Sequence, residues 1–208
     1  MDVVPIVPVE IEISPAPPPA EVAALIDDAT QRIDVFFDQR GKDRPTGFYP
    51  SDFELVFRGL RAVRELSPEG RGMCEWGCGF GVASGMATTL GYTACGIEID
   101  RVLVEEARQL LATHDLQVEV LEGSFIPEDY ARHERLSDLE TMTVMTGADV
   151  YGDGDSDIED YDLIFAYPWP DEEGQFCDLF DQYGNYGALL MTYSMIEGMR
   201  LYRKVGSS

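Results

Sequence analysis

The run Glu75-Trp76-Gly77-Cys78-Gly79-Phe80-Gly81 constrains this chain more tightly than any other stretch of its 208 residues. It stands between a short apolar segment at Met73 and Cys74 and a run that reads as helix from Val82. Alternate glycines there allow a tight turn and bring the main chain close to a ligand, because no Cβ stands in the way. The same glycines also serve helix–strand packing, so their surroundings must decide between the two roles.

Those surroundings alternate between strand and helix. After the first strand, ending over 73–75, the pattern predicts a helix over 82–90 stopped by Gly91, a strand over 92–99, a helix over 101–114 and a strand over 118–121. A buried-type strand over 161–167, a helix over 171–183, a strand over 187–193 and a short last strand over 199–204 follow. Alternation at this pitch predicts an α/β domain with a mostly parallel sheet and helices on both faces. There is no internal repeat. Upstream, Pro5, Pro8, Pro15 and Pro17 to Pro19 mark residues 1–20 as an extended arm or edge strand. Apolar positions recur at helical spacing over 20–39, and Ser51 with Glu54 forms a capping-box pattern ahead of a second helix. The expected organisation is therefore an arm over 1–20, a helical segment or lid over 21–70 and a core over 71–208 with an acidic insertion over 137–160. Only Ser194 to Gly198 lie between the fifth and last core strands, so the C-terminal part is shortened and an edge is left that a homodimer would cover.

A second signal, Gly96-Ile97-Glu98-Ile99-Asp100, closes the second core strand, and Glu98 lies seventeen residues beyond Gly81. A carboxylate at that edge can accept hydrogen bonds from both hydroxyls of a ribose, the task of the acidic residue about 20 residues after the glycines in Rossmann-type sites. Asp100 suits the N-cap of the helix beginning at Arg101. A nicotinamide-type fingerprint wants its third glycine three residues after the second, where Val82 stands, so the spacing favours an adenosylmethionine site over a dinucleotide site.

With these residues in place, the run from Cys74 to Phe125 resembles the cofactor half of class I (Rossmann-like) S-adenosylmethionine-dependent methyltransferases. Tyr161 to Pro170 resembles their fourth-strand motif. The resemblance implies that Glu75 lies near the amino group of the methionine moiety, that Gly77, Gly79 and Gly81 line it, that Glu98 holds the ribose, and that Gly123-Ser124-Phe125 flanks the adenine. Ser124 departs from the family pattern, which commonly has an Asp there. Phe48-Tyr49-Pro50-Ser51 is similar to the opening segment of some small lysine methyltransferases. The implied cofactor-binding set is Tyr49, Ser51, Glu75, Gly77, Cys78, Gly79, Gly81, Glu98, Ile99, Ser124, Phe125 and Tyr167. Tyr167, Trp169 and Glu172 are the expected catalytic residues, with Glu173 a further candidate to take a proton. Tyr167 and Trp169 offer aromatic faces to a sulfonium or a cationic amine. Asn-Pro-Pro-Tyr and Asp-Pro-Pro-Tyr sequences are absent, which disfavours amino groups of nucleobases or glutamine as acceptors. The expected activity is thus methyl transfer to a small molecule or a protein side chain; a catalytically idle nucleotide-binding scaffold and a nicotinamide-dependent oxidoreductase remain as alternatives.

Charge narrows the partners. The formal net charge of −24 repels polyanions over a Debye length of about 8–10 Å, so nucleic acid is disfavoured. The four cysteines show no paired metal-ligand spacing and the two histidines lie far from them, so no metal site is expected. The acidic run 149–162 likewise misses the spacing of a calcium loop and reads as solvated. Free thiols in apolar runs, with no leader and no membrane-length apolar segment, suit a reducing cytoplasm.

Overall fold

The computed structural model describes residues 6–41, 45, 47–133, 143, 148–151 and 157–206. The acidic insertion expected over 137–160 lies largely outside the described residues. Seven strands form a single sheet: β1 (Ile6–Pro8), β2 (Gly72–Trp76), β3 (Thr93–Glu98), β4 (Val118–Glu122), β5 (Leu163–Ala166), β6 (Leu189–Ser194) and β7 (Gly198–Lys204). Their spatial order is β1-β7-β6-β5-β2-β3-β4, with β4, β3, β2, β5 and β6 parallel and β7 antiparallel to both neighbours. Among the described residues six helices accompany them: α1 (Ala20–Arg40), α2 (Phe53–Leu66), α3 (Val82–Thr89), α4 (Arg101–Thr113), α5 (Glu128–His133) and α6 (Glu173–Tyr183). The chain order reverses between β2 and β5, which places a crevice beyond the carboxyl ends of those two strands.

Successive residues of each central strand go to opposite faces, as the pleat requires. Met73, Leu163, Phe165, Leu189 and Met191 join a core with α1, α2 and α3, while Cys74, Ile164, Ala166 and Leu190 join Phe176, Leu179 and Phe180 of α6 on the other side. Burial on both faces explains why these strands read as continuous apolar runs rather than alternating ones. The helices α1 and α2 are integral to that core. Val22, Leu25, Ala29 and Ile33 of α1, and Val56, Phe57, Leu60 and Val63 of α2, are buried in the same cluster as the strands. Burying each such side chain is worth about 1.5–3 kcal/mol.

Two local expectations require correction. The N-cap of α2 is Asp52, whose carboxylate accepts from Leu55 N at 3.0 Å, rather than Ser51. Either side chain can cap, and the one-residue choice leaves Ser51 facing the cavity described below. The edge left by the shortened C-terminus is covered by the chain's own arm: β1 pairs with β7 through Ile6↔Lys204 and Val7↔Arg203, and Val9 N donates to Leu201 O at 2.8 Å. Arg61 of α2 then holds the arm further along, donating to the carbonyls of Ala16 at 3.0 Å and Ser14 at 3.4 Å. No helix among the described residues is long and apolar enough to cross a membrane.

Removal of residues 1–13 should uncover the β7 edge. The truncated chain is expected to melt lower, by about 2–4 °C for every kcal/mol lost in a chain of this size, and to self-associate on gel filtration. An unchanged melting temperature with a monodisperse monomer would show that the arm does not protect the sheet.

Candidate functional site

The carboxyl ends of β2, β3 and β5 open into a cavity of about 420 Å³. It collects nearly all the side chains singled out from the sequence: Tyr49, Ser51, Glu75, Gly77, Cys78, Gly79, Glu98, Ile99, Ser124, Phe125, Tyr167 and Trp169 all line it. Gly81 and Glu172 do not. Gly81 adopts a left-handed conformation as the N-cap of α3, and a Cβ there would come within 3.2 Å of Leu111 Cδ1, so this glycine lets α3 sit against α4. The Glu172 carboxylate is buried and accepts the hydroxyl of Thr143, which lines the cavity in its place. Glu173 is also committed, accepting from Thr192 at 2.6 Å, from Tyr202 at 3.2 Å and from Arg200. Neither acid is placed to take a proton from a group inside the cavity.

The loop amides follow a different logic from the one the glycines suggest. Gly77 N and Cys78 N both donate to Ile97 O at 2.9 Å, Gly81 N donates to Cys78 O at 2.7 Å, and Gly79 N donates to Glu98 Oε2 at 2.9 Å. These donors are spent inside the protein, because the turn folds back on the end of β3. What the glycines provide is room. A Cβ on Gly77 would point into open space, and one on Gly79 would lie 2.5 Å from the ring of Phe48. Phe48 stacks on Phe80 with centroids 5.4 Å apart, and so closes the 47–51 segment over the loop.

Glu98 joins the two halves of the floor. Its Oε1 accepts from Asp100 N at 2.9 Å while Oε2 holds Gly79, and the Ile99 amide also bonds to the carboxylate, which uses three of its four lone-pair sites within the protein. Asp100 caps α4 through Val102 N and Leu103 N, as the sequence predicts. Glu75 is buried beneath the loop, its Oε2 accepting from both the amide and the hydroxyl of Ser84. Burial raises the Glu75 carboxyl to about 8 against the partial opposition of those Ser84 bonds, and burial also raises Glu98. Among the described residues lining the cavity, none is Arg, Lys or His.

The walls are aromatic. Trp76 and Phe125 stack nearly parallel, 5.2 Å between centroids and 9° between planes, beside Ser124, whose hydroxyl accepts from Ile126 N. Trp76 and Phe48 belong to the motifs read from the sequence but were not themselves assigned to the site. Thr143 carried no sequence signal at all. At the mouth, Tyr49 and Trp169 meet edge to face at 5.7 Å, and Tyr167 leans on Tyr193 at 4.9 Å. Burial first, then the neighbouring Tyr193 and Tyr49, push the Tyr167 hydroxyl up, so it serves as a donor rather than a base near neutrality.

Comparison with solved structures gives the fold a context. The chain aligns with an RNA methyltransferase from Salinibacter ruber in complex with S-adenosyl-L-homocysteine at 18% identity, covering 77% of this chain and 96% of that one, with a TM-score of 0.51. A methyltransferase from Geobacter sulfurreducens aligns at 14% identity over 92% of this chain and 93% of that chain, with a TM-score of 0.55. The O-methyltransferase from Bacillus cereus in complex with S-adenosylhomocysteine aligns at 12% identity over 88% of this chain and 70% of that chain, with a TM-score of 0.52. No protein-family model and no curated protein matches the sequence. The fold is the Rossmann-like α/β fold of class I methyltransferases, as the sequence resemblance implied.

Two substitutions separate the loop's roles. Gly77→Ala should cost about 1–2 kcal/mol, from the left-handed backbone alone. Gly79→Ala should cost about 1–3 kcal/mol more through displacement of Phe48, as measured by urea denaturation; equal losses would deny Phe48 its place over the loop. The buried acid makes a further prediction. In the folded chain Glu75 titrates near 8, against 4.5 for the ordinary carboxyl, so folding takes up a proton between those values. Stability of the ligand-free protein should therefore fall as pH rises through that window and level off above it. Thermal melts of Glu75→Gln should show a flatter profile, and an unaltered slope would place the titration elsewhere.

Proposed function

We propose that this chain is an S-adenosylmethionine-dependent methyltransferase acting on a small molecule or a protein side chain, with S-adenosylhomocysteine as its product. The observation that carries this reading is chemical. Two buried carboxyls, Glu75 and Glu98, face one cavity beside a loop of alternate glycines, and the described lining supplies no cation to balance them. A ligand bearing an ammonium, a sulfonium and a ribose diol answers each of these features. A dinucleotide answers them poorly, because its diphosphate would find no basic side chain and its usual amide donors are already bonded to Ile97, Cys78 and Glu98.

The residues fit the cofactor as follows. Glu98 would accept from a ribose hydroxyl through its remaining lone pair. Glu75 would lie toward the methionine ammonium, and the missing Cβ of Gly77 leaves space for that end of the ligand. The Trp76–Phe125 stack with Ser124 would flank the adenine. When bound, the cofactor supplies a methyl carbon already activated by positively charged sulfur. The protein therefore needs chiefly to exclude water and orient the nucleophile, at about 3–3.5 Å from the carbon it attacks. Phe48, Phe80, Tyr49 and Trp169 shield the cavity, while Tyr167, at the end of β5, stands where an acceptor would be oriented.

Calorimetry tests the reading. S-adenosylmethionine and S-adenosylhomocysteine should bind with micromolar dissociation constants, and Glu98→Ala should weaken both by about 10- to 100-fold, the worth of hydrogen bonds to a charged acceptor. Absence of binding by either ligand would remove the proposal. Transfer of a labelled methyl group into a lysate fraction would separate an enzyme from a binder that retains the ligand and labels nothing.

A further inference from the structure

The mouth of the cavity differs in chemistry from its floor. It is built from rings with no cationic partner among the described residues: Tyr49, which is 53% exposed, Trp169, held edge-on at 5.7 Å from it, and Tyr167. Pro168 and Pro170 flank Trp169 and restrict its backbone. The loop joining β6 to β7 lies at the same end of the sheet and exposes Met195 and Ile196, at 71% and 80%. Met195 and Ile196 thus form an exposed apolar ledge at the end of the sheet where the rim lies. The described lining contains three carboxyl side chains, Glu75, Glu98 and Asp100, and no basic one, in a chain of net charge −24. The net charge of the chain draws cations and turns phosphates and carboxylates away, and no basic side chain of the described lining offsets it.

We propose that the rim formed by Tyr49, Tyr167 and Trp169 is the recognition site for an aliphatic amine presented as its cation, and that this amine is the methyl acceptor. The second half of that statement rests on the methyltransferase reading; the first half stands on the rim itself. Aromatic faces attract a positive charge through the ring quadrupole, with Trp the strongest of them, and the attraction survives at partly exposed sites. The ledge at Met195 and Ile196 suits the hydrocarbon chain that carries such an amine. Carboxylate- and phosphate-bearing acceptors find no countercharge among the described residues of the lining. The bound ammonium first gives one N–H proton to water at the open rim; the lone pair so freed on the neutral amine forms the N–C bond while the electron pair of the broken C–S bond stays on sulfur, leaving a methylated ammonium and a neutral thioether. No acidic side chain need take that proton, consistent with the commitment of Glu172 and Glu173 to Thr143 and to Thr192, Tyr202 and Arg200.

The test is a binding measurement that needs no turnover. Choline and its neutral isostere 3,3-dimethylbutanol are titrated by ligand-observed NMR into the full chain, with and without S-adenosylhomocysteine. Choline should bind at least tenfold more tightly than the isostere. Trp169→Leu should weaken choline by about 2- to 30-fold and leave the isostere nearly unmoved, while Trp169→Phe should restore part of the preference. Equal affinity for the two probes, or a preference undiminished in Trp169→Leu, overturns the assignment of the rim. Cation preference in a chain that fails to bind S-adenosylhomocysteine would uphold the rim and defeat the methyltransferase reading, so the two failures are distinguishable.

Discussion

The site depends on one carboxylate shared between two backbone segments. Glu98 accepts from Gly79 N on one side and from Asp100 N on the other, and so ties the glycine turn after β2 to the end of β3. Hydrogen bonds to a charged acceptor are the stronger kind, and in a buried setting their loss leaves polar groups unsatisfied. Around this clasp the turn packs tightly. Gly96 on β3 has no side chain because a Cβ would lie 2.9 Å from Cys78, and Gly81 leaves the clearance that brings α3 against α4.

The clasp also decides what the glycine loop can offer. Because its amides face Ile97, Cys78 and Glu98, the loop is a surface of close approach and not a row of free donors. Recognition then falls to the acids and the rings. Glu75 and Glu98 are buried against their electrostatic preference, held there by Ser84 and by main-chain amides, and in this ligand-free form burial keeps their carboxyl groups from ionising as readily as they would in water. Buried acids without a cation are characteristic of functional sites, where a structural purpose alone would favour an apolar substitute.

Closure of the cavity is the contribution of the N-terminal third. Helices α1 and α2 share one core with the central strands. Just ahead of α2, Phe48 sits on Gly79 and Phe80, and Tyr49 meets Trp169. The arm performs a related service at the opposite edge, where β1 fills the place beside β7 that the shortened C-terminus leaves vacant.

Much of this was legible in the linear chain, and for a definite reason. Period and punctuation are local properties: the alternation of strand and helix from residue 72 to 204, the cap at Asp100, the strand-end position of Glu98 and the turn from Glu75 to Gly81 depend on neighbours within a few residues, and the sequence alone determined them. Pairings across distance were decided only in three dimensions. The cap at Asp52 in place of Ser51, the retreat of Gly81 from the cavity, the capture of Glu172 by Thr143 and the spending of the loop amides on Ile97 each turn on which partner the folded chain brings within about 3 Å, a distance to which spacing along the chain bears no fixed relation.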